Sequence, residues 1–243
     1  MPRFFLAPEE IHPQFMVLTG ENAVHAKVLR LKCGDTLTVC DGNATDYLCT
    51  VSDVSPGQIS LVVQQTVASD SEPSVDVSIY MAYAKADKFD HVVQKATELG
   101  AKEIVAFPSS RCVCRPEQKA IAKKLERWQK IAASAAQQSG RGRIPQVLAV
   151  DSYLQAITRA AQADLAVNFY ENEDHLTFHD AISAHPFQTV ALMTGPEGGY
   201  TPEEIALSAQ HGIQICTLGK RILRCETAPL CALSALMYAA GEF

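Results

Sequence analysis

The sequence predicts an α/β protein with a parallel sheet, preceded by a smaller region of β-structure. Three observations carry this. From residue 75 onward, short apolar runs rich in β-branched residues alternate with segments of helical period, and such alternation gives parallel strands with helices on both faces. Before residue 70 the runs are short, closely spaced and broken by turn residues, as in a small barrel or sandwich. Between the two, SDSEPS (69–74) is polar, holds a proline and has no hydrophobic period, so it reads as a linker. The expected domains are 1–70 and 75–243.

In the first region DTLTVC (35–40) and DYLCTV (46–51) are strands, and DGNA (41–44) between them carries the Asp-Gly of a hairpin. SPGQ (55–58) is a second turn, leading into the strand ISLVVQQTV (59–67). After the linker VDVSIYMAYA is a strand, KFDHVVQKATELG a helix ending at Gly100, and EIVAF a strand. A long helix covers 116–140, with Pro116 near its start and Gly140 past its end. QVLAV, SYLQAITRAAQA and DLAVNF continue as strand, helix and strand. A short helix over 175–184, the strand FQTVALMT (187–194), a helix over 202–211 and the strand IQICT follow. The closing helix, APLCALSALMYAA, is apolar nearly all round, which predicts burial.

Composition narrows the function classes. With 243 residues, 47% hydrophobic and 20% charged, the chain is an ordinary globular protein. No apolar run approaches the ~20 residues of a membrane span, and MPRFFLAPEEIHPQF lacks the apolar stretch of a signal peptide. A cytoplasmic location is expected, with the eight cysteines kept as thiols. Cys112 and Cys114 form the one tight pair and have no second pair at zinc spacing; His175 and His179 have no evident third ligand. No metal is expected. The net charge of −6 argues against indiscriminate nucleic-acid binding. The basic residues are nonetheless clustered, in HAKVLRLK (25–32), RCVCR (111–115), KKLERWQK (123–130), RGR (141–143) and GKRILR (219–224). Such patches suit RNA on one face or simply solvated helix surfaces.

Two late loops draw attention. GPEGGYTPEE (195–204) follows a strand and looks at first like a phosphate cradle. Its helix start is already occupied, however: Thr201 fits the N-cap, Pro202 the first helical position and Glu204 the third, the spacing of a capping box. Glu197 adds further negative charge. The glycines then either let the backbone approach a flat or cationic ligand or form a tight connection with no ligand. LGKRILRCETAP (218–229) is the second loop, with Arg221 and Arg224 flanking two aliphatic residues. Both lie where open α/β sheets bind ligands.

GPEGG before a capped helix, then LGKRILRCETA before an apolar terminal helix, resembles the RsmE family, a branch of the knotted SPOUT methyltransferases acting on small-subunit ribosomal RNA. MPRFF, HAKVLRLKCGD, KADKFDHVVQKATELG and QSGRGRIP extend the resemblance over nearly the whole chain. It implies a small N-terminal PUA-like β-barrel that binds RNA and a C-terminal trefoil-knot α/β domain. It also implies a homodimer, S-adenosylmethionine as methyl donor, N3 of one uridine as acceptor, and small-subunit ribosomal RNA or the assembled 30S subunit as partner. By position, the cofactor pocket would use Thr194, Gly195, Glu197 and Gly198 from one loop and Leu218, Gly219, Ile222 and Leu223 from the other. Arg224 and Glu226 would face substrate or brace the loop. Arg3, Arg30, Lys88, Arg111 and Arg141 are candidates for the phosphate backbone. Gln137 and Ser110 stand where the family usually has acidic residues, and Cys225 where threonine is common.

N3 of uridine must lose a proton before it attacks, which calls for a general base or for arginines that stabilise the developing anion. Glu98 is a candidate base and equally a helix-end carboxylate. Two other classes stand as alternatives: an RNA-binding assembly factor that kept the fold without the chemistry, and a dinucleotide oxidoreductase. The second is disfavoured by the lack of a glycine fingerprint after an early strand.

Overall fold

The structure, a computed structural model, describes residues 1–184 and 186–243. The chain divides into two compact units. One comprises Met1–Glu72 with Ala136–Ile144, the other Pro73–Ala135 with Pro145–Phe243.

The first unit holds β1 (Arg3–Phe5), β2 (Phe15–Leu18), α1 (Gly20–Val28), β3 (Thr36–Cys40), β4 (Thr45–Ser55) and β5 (Gln58–Ala68). They form one sheet in the order β1-β3-β4-β5-β2, antiparallel except for β1 beside β3. No pairing joins β1 to β2 among the described residues, so the expected barrel is a half-barrel. β4 and β5 pair over eleven residues each, with register shifts at Leu48/Cys49 and Val51/Asp53 that bend the ribbon. Alternate inward residues Phe4, Met16, Leu18, Leu37, Val39 and Leu61 close over an apolar core.

Residues 136–144 are part of this unit. Arg141 is buried and puts Nη2 2.6 Å from Glu72 Oε2. The Glu72 carboxylate also accepts the backbone N–H groups of Gly142 and Arg143 at 2.9 and 3.1 Å. Gly142 O accepts Ala44 N at 3.0 Å and the Cys40 thiol at 3.1 Å. A Cβ at Gly142 would overlap Ser69, so this close passage of two backbones requires glycine.

The second unit is a six-stranded sheet, parallel throughout, in the order β11-β9-β10-β6-β7-β8. Its strands are β6 (Asp76–Ala82), β7 (Glu103–Phe107), β8 (Gln146–Ala149), β9 (Leu165–Phe169), β10 (Thr189–Thr194) and β11 (Gln214–Cys216). The helices are α2 (Lys88–Glu98), α3 (Gln118–Ser139), α4 (Tyr153–Ala160), α5 (Phe178–Ala184), α6 (Pro202–Gln210) and α7 (Thr227–Ala239). β9 is buried at every position, and β10 at every position but its first, as strands covered on both faces must be. α7 departs from the expectation of full burial. Pro229, Ala232, Leu233, Leu236 and Met237 face inward, while Cys231, Ala235 and Tyr238 stay exposed. Its composition is apolar all round, but α2, β6 and β10 cover only one of its faces.

Candidate functional site

The strand order brings three connections together. β10, β9 and β11 are neighbours, and the segments leaving their carboxyl ends enclose a cavity of about 970 Å³.

The wall after β10 is tightly packed. Thr194 is buried at the strand end, its hydroxyl 3.4 Å from Tyr80 O. A Cβ at Gly195 would lie 3.2 Å from the Tyr200 ring, so this glycine answers to the protein's own packing. Tyr200 is itself buried, its hydroxyl has no hydrogen-bond partner among the described residues, and burial holds its pKa well above the ordinary value. A Cβ at Gly198 would lie 3.0 Å from Arg111 Cβ, and Arg111 Nη1 donates to Gly198 O at 3.2 Å. Gly199 has φ +66°, and a Cβ there would overlap the Glu171 carboxylate.

The loop then enters α6 through the anticipated capping box. Glu204 N donates to Thr201 Oγ1 at 3.3 Å, and Glu204 Oε2 accepts Thr201 N at 3.0 Å. Glu204 is buried and also accepts Ser110 N at 2.7 Å and the Ser109 hydroxyl at 3.2 Å. The helix start is therefore satisfied from within and offers little to a phosphate.

The wall after β11 is open. Gly219 has φ +99° and a Cβ there would meet nothing within 4 Å. Its N–H donates to Thr217 Oγ1 at 3.1 Å. Leu218 and Leu223 are half-buried, Ile222 is 85% exposed, and Arg224 is exposed; all four line the cavity.

The third wall, after β9, was absent from the sequence reading. It contributes Glu171, Glu173 and Asp174. Glu173 accepts the N–H groups of His175 and Leu176 at 2.7 and 3.2 Å, and these bonds hold its carboxyl below the usual range. The signal that could have found this wall is the acidic run ENED directly after a strand.

Lys88, a candidate for the phosphate backbone, lines the cavity and bridges two carboxylates. Its Nζ lies 3.2 Å from Glu197 and 3.2 Å from Glu226, the N-cap residue of α7. Desolvation opposes the ammonium, yet the two carboxylates raise its pKa above the ordinary value. Glu197 also accepts Lys85 N at 3.0 Å. Desolvation works against both glutamates, but hydrogen bonds from backbone, the Cys225 thiol and Lys88 leave each below the usual range. Cys225 Sγ lies 3.6 Å from Lys88 Nζ, and burial pushes the thiol up to about 11.

Other expected residues lie elsewhere. Glu98 pairs with Lys95 at 2.8 Å near the end of α2. Ten residues from Lys88, it stands roughly 15 Å along the helix axis and does not line the cavity. Arg3 donates twice to Asp46, at 2.6 and 2.7 Å. Arg3 and Arg141 are thus committed to carboxylates within the first unit. Gln137 Nε2 donates to Arg3 O at 2.6 Å. Arg111 is exposed at the Gly198 loop. Arg30 is exposed just past α1, with φ +57°. Arg30 N bonds to Lys27 O and Leu31 N to Ala26 O, the Schellman pattern whose left-handed residue is usually glycine.

The cavity suits S-adenosylmethionine. Its walls set the carboxylates Glu171, Glu173, Asp174 and Glu197 against the cations of Lys88, Lys220, Arg221 and Arg224, so a sulfonium meets negative charge, and the open backbone at Gly219 admits a flat ring closely. Among the described residues no group of three or more His, Cys, Asp or Glu is placed to hold a metal ion, and all eight cysteines are free thiols.

Comparison with known proteins agrees with this geometry. Residues 71–237 match the RNA methyltransferase domain, and residues 18–64 the RNA methyltransferase PUA domain. Ribosomal RNA small subunit methyltransferase E of Bacillus subtilis is 36% identical over 98% of this chain and 96% of its own length. The Synechocystis protein of the same name is 35% identical over 96% of this chain and 76% of its own. The crystal structure of the Neisseria gonorrhoeae protein of that name, bound to S-adenosyl methionine, has a TM-score of 0.89 at 32% identity and covers 98% of both chains. A Legionella pneumophila protein in complex with the same cofactor has a TM-score of 0.85 at 30% identity, covering 98% of this chain and 97% of its own. With its PUA-like half-barrel and its glycine-walled cavity over a SPOUT-like α/β sheet, the chain belongs to the RNA methyltransferase family of the ribosomal RNA small subunit methyltransferase E proteins.

Proposed function

We propose that the chain transfers a methyl group from S-adenosylmethionine to N3 of a uridine in small-subunit ribosomal RNA, acting in the cytoplasm. The observation that carries this reading is the cavity over β9, β10 and β11, walled by glycine backbone and carboxylates. When bound, S-adenosylmethionine supplies an electrophilic methyl group. Thr194, Gly195, Glu197 and Gly198 would hold it from one loop, and Leu218, Gly219, Ile222 and Leu223 from the other. Lys88 fixes the spacing of the first loop and α7 through Glu197 and Glu226. Arg224 projects from the open wall, where it would meet the uracil carbonyls or a neighbouring phosphate and stabilise the N3 anion. Because N3 lies on the Watson–Crick edge, the uridine must be unpaired or flipped out to reach the cavity. Orientation and exclusion of water then supply much of the rate.

The test is direct. Small subunits and naked 16S RNA from cells lacking the protein are incubated with the enzyme and labelled cofactor, and the nucleosides are analysed by mass spectrometry. We expect 3-methyluridine at one position. Methylation of a ribose, of another base, or none on either substrate would reject the reading, the last outcome favouring a non-catalytic assembly factor.

The N-terminal unit supplies RNA affinity in this proposal. Arg30 supports it: an arginine holds a left-handed position at an expected cost of about 1 kcal/mol that glycine would relieve. Arg30→Gly should therefore raise the melting temperature while weakening RNA binding and flattening its salt dependence by about one phosphate contact. A variant that is more stable and binds RNA unchanged would remove Arg30 from the interface. The exposed Cys231, Ala235 and Tyr238 face of α7 supports a homodimer. Full activity at concentrations where light scattering reads a monomer would refute it.

A further inference from the structure

We propose that Glu171 is the base that takes the N3 proton of the target uridine; the inference rests on the methyl-transfer reading of the same cavity. The chemistry demands an acceptor within reach of N3, and five carboxylates line or flank the cavity. Four are engaged. Glu197 and Glu226 share the Lys88 ammonium at 3.2 Å each. Glu173 caps the turn at His175 and Leu176, and Asp174 lies 3.2 Å from the His175 ring. Glu171 alone accepts no hydrogen bond and joins no ion pair among the described residues.

Its position is built. Glu171 follows β9, the middle strand of the three whose ends form the cavity. Its carboxylate lies against the Cα of Gly199, the one residue of the GPEGG loop in a left-handed conformation, and any side chain there would push it away. A carboxylate beside the glycine loop, with solvent access and both oxygens unspent, is arranged to accept a proton.

The groups facing it agree with this role. Glu173 and Asp174 on its own loop, and Glu197 on the next, keep the neighbourhood anionic. Arg111 at Gly198 and Lys220, Arg221 and Arg224 on the open loop bring cations that stabilise the uracil anion as it forms. Tyr200, beneath Gly195, stays protonated. In the transfer the N3–H bond breaks and its proton passes to a Glu171 oxygen. The N3 electron pair forms the bond to the methyl carbon, and the carbon–sulfur bond breaks with its pair left on sulfur.

The experiment compares the full-length wild type with Glu171→Gln and Glu171→Asp, by calorimetry with S-adenosylmethionine and by single-turnover methylation of small subunits across pH. Glu171→Gln should bind the cofactor within twofold of wild type and lose about 10²–10³ in rate near pH 7. Its rate should then climb about tenfold per pH unit until the uridine itself ionises, while wild type stays on a plateau. Glu171→Asp should recover part of the rate and keep the plateau. A Gln variant with wild-type rate overturns the proposal, as does a loss that is the same at every pH. A cofactor affinity lowered with the transfer step unchanged also overturns it, since Glu171 would then be a cofactor ligand. A wild type that places no methyl on uridine N3 rejects the methyl-transfer reading itself, whatever the variants do.

Discussion

The two glycine loops that wall the cavity are held in opposite ways. The loop after β10 is braced from every side: Tyr200 lies beneath Gly195, Arg111 against Gly198, Glu171 over Gly199, and the capping box fixes its exit. The loop after β11 has open space at Gly219 and an almost bare Ile222. One wall is therefore packed against the protein itself. The other leaves Gly219 and Ile222 open to a ligand. A wall packed beforehand leaves less ordering to be done on binding than an open one.

The sharpest break in this contrast is Glu204→Ala. It strands the N–H groups of Thr201 and Ser110 and removes the Glu204 half of the capping box, which should cost about 2–4 kcal/mol. Thermal melting without cofactor should show it, with affinity falling as a consequence. A melting temperature within a degree of wild type would mean that the braced wall does not depend on the Glu204 carboxylate. Gly195→Val should cost about 1–3 kcal/mol by forcing the Tyr200 ring aside, so stability and affinity fall together. Gly219→Ala meets no atom and carries only the strain of its positive φ, about 1 kcal/mol. Its affinity loss should exceed its stability loss, measured by calorimetry beside melting. Equal behaviour of these two variants would erase the distinction between the loops.

The smallest effect is pH-dependent. Glu197 and Glu226 are depressed in the fold, so what they contribute is present above the unfolded glutamate value of about 4.3 and lost as pH falls through their folded values. Lys88→Met should flatten the acid limb of the melting curve below about pH 4.5. An unchanged acid limb would show that Lys88 does not hold the braced loop to α7.

Much of this was open to a reading of the chain. Thr201, Pro202 and Glu204 announced the braced loop, because capping is local chemistry at fixed spacing. The third wall was hidden, because alternation of strands and helices makes them parallel but does not say that β9 lies between β11 and β10. Glu171 therefore went unnoticed, while Glu98, a candidate base and equally a helix-end carboxylate, lies outside the residues lining the cavity. β1 was too short to carry a pattern, and its partner β3 lies more than thirty residues on. α1 buries only Ala23 and Ala26, too little apolar surface for a visible stripe. Arg3 and Arg141 read as free basic residues because Asp46 and Glu72 stand 43 and 69 positions away.

The membership of residues 136–144 in the first unit sets the order in which the chain can be finished. A nascent chain released as far as residue 72 holds the whole half-barrel sheet but not Arg141, Gly142 or Gln137. Glu72 then has no guanidinium, and the Cys40 and Ala44 donors have no Gly142 carbonyl. At about 5–20 residues per second, that interval lasts roughly 4–14 s. The N-terminal unit is thus closed late, by a strap made in the middle of the other unit. For the same reason a cut at the 69–74 linker would not release an intact pair of domains: the downstream piece would carry Arg141 away from its carboxylate.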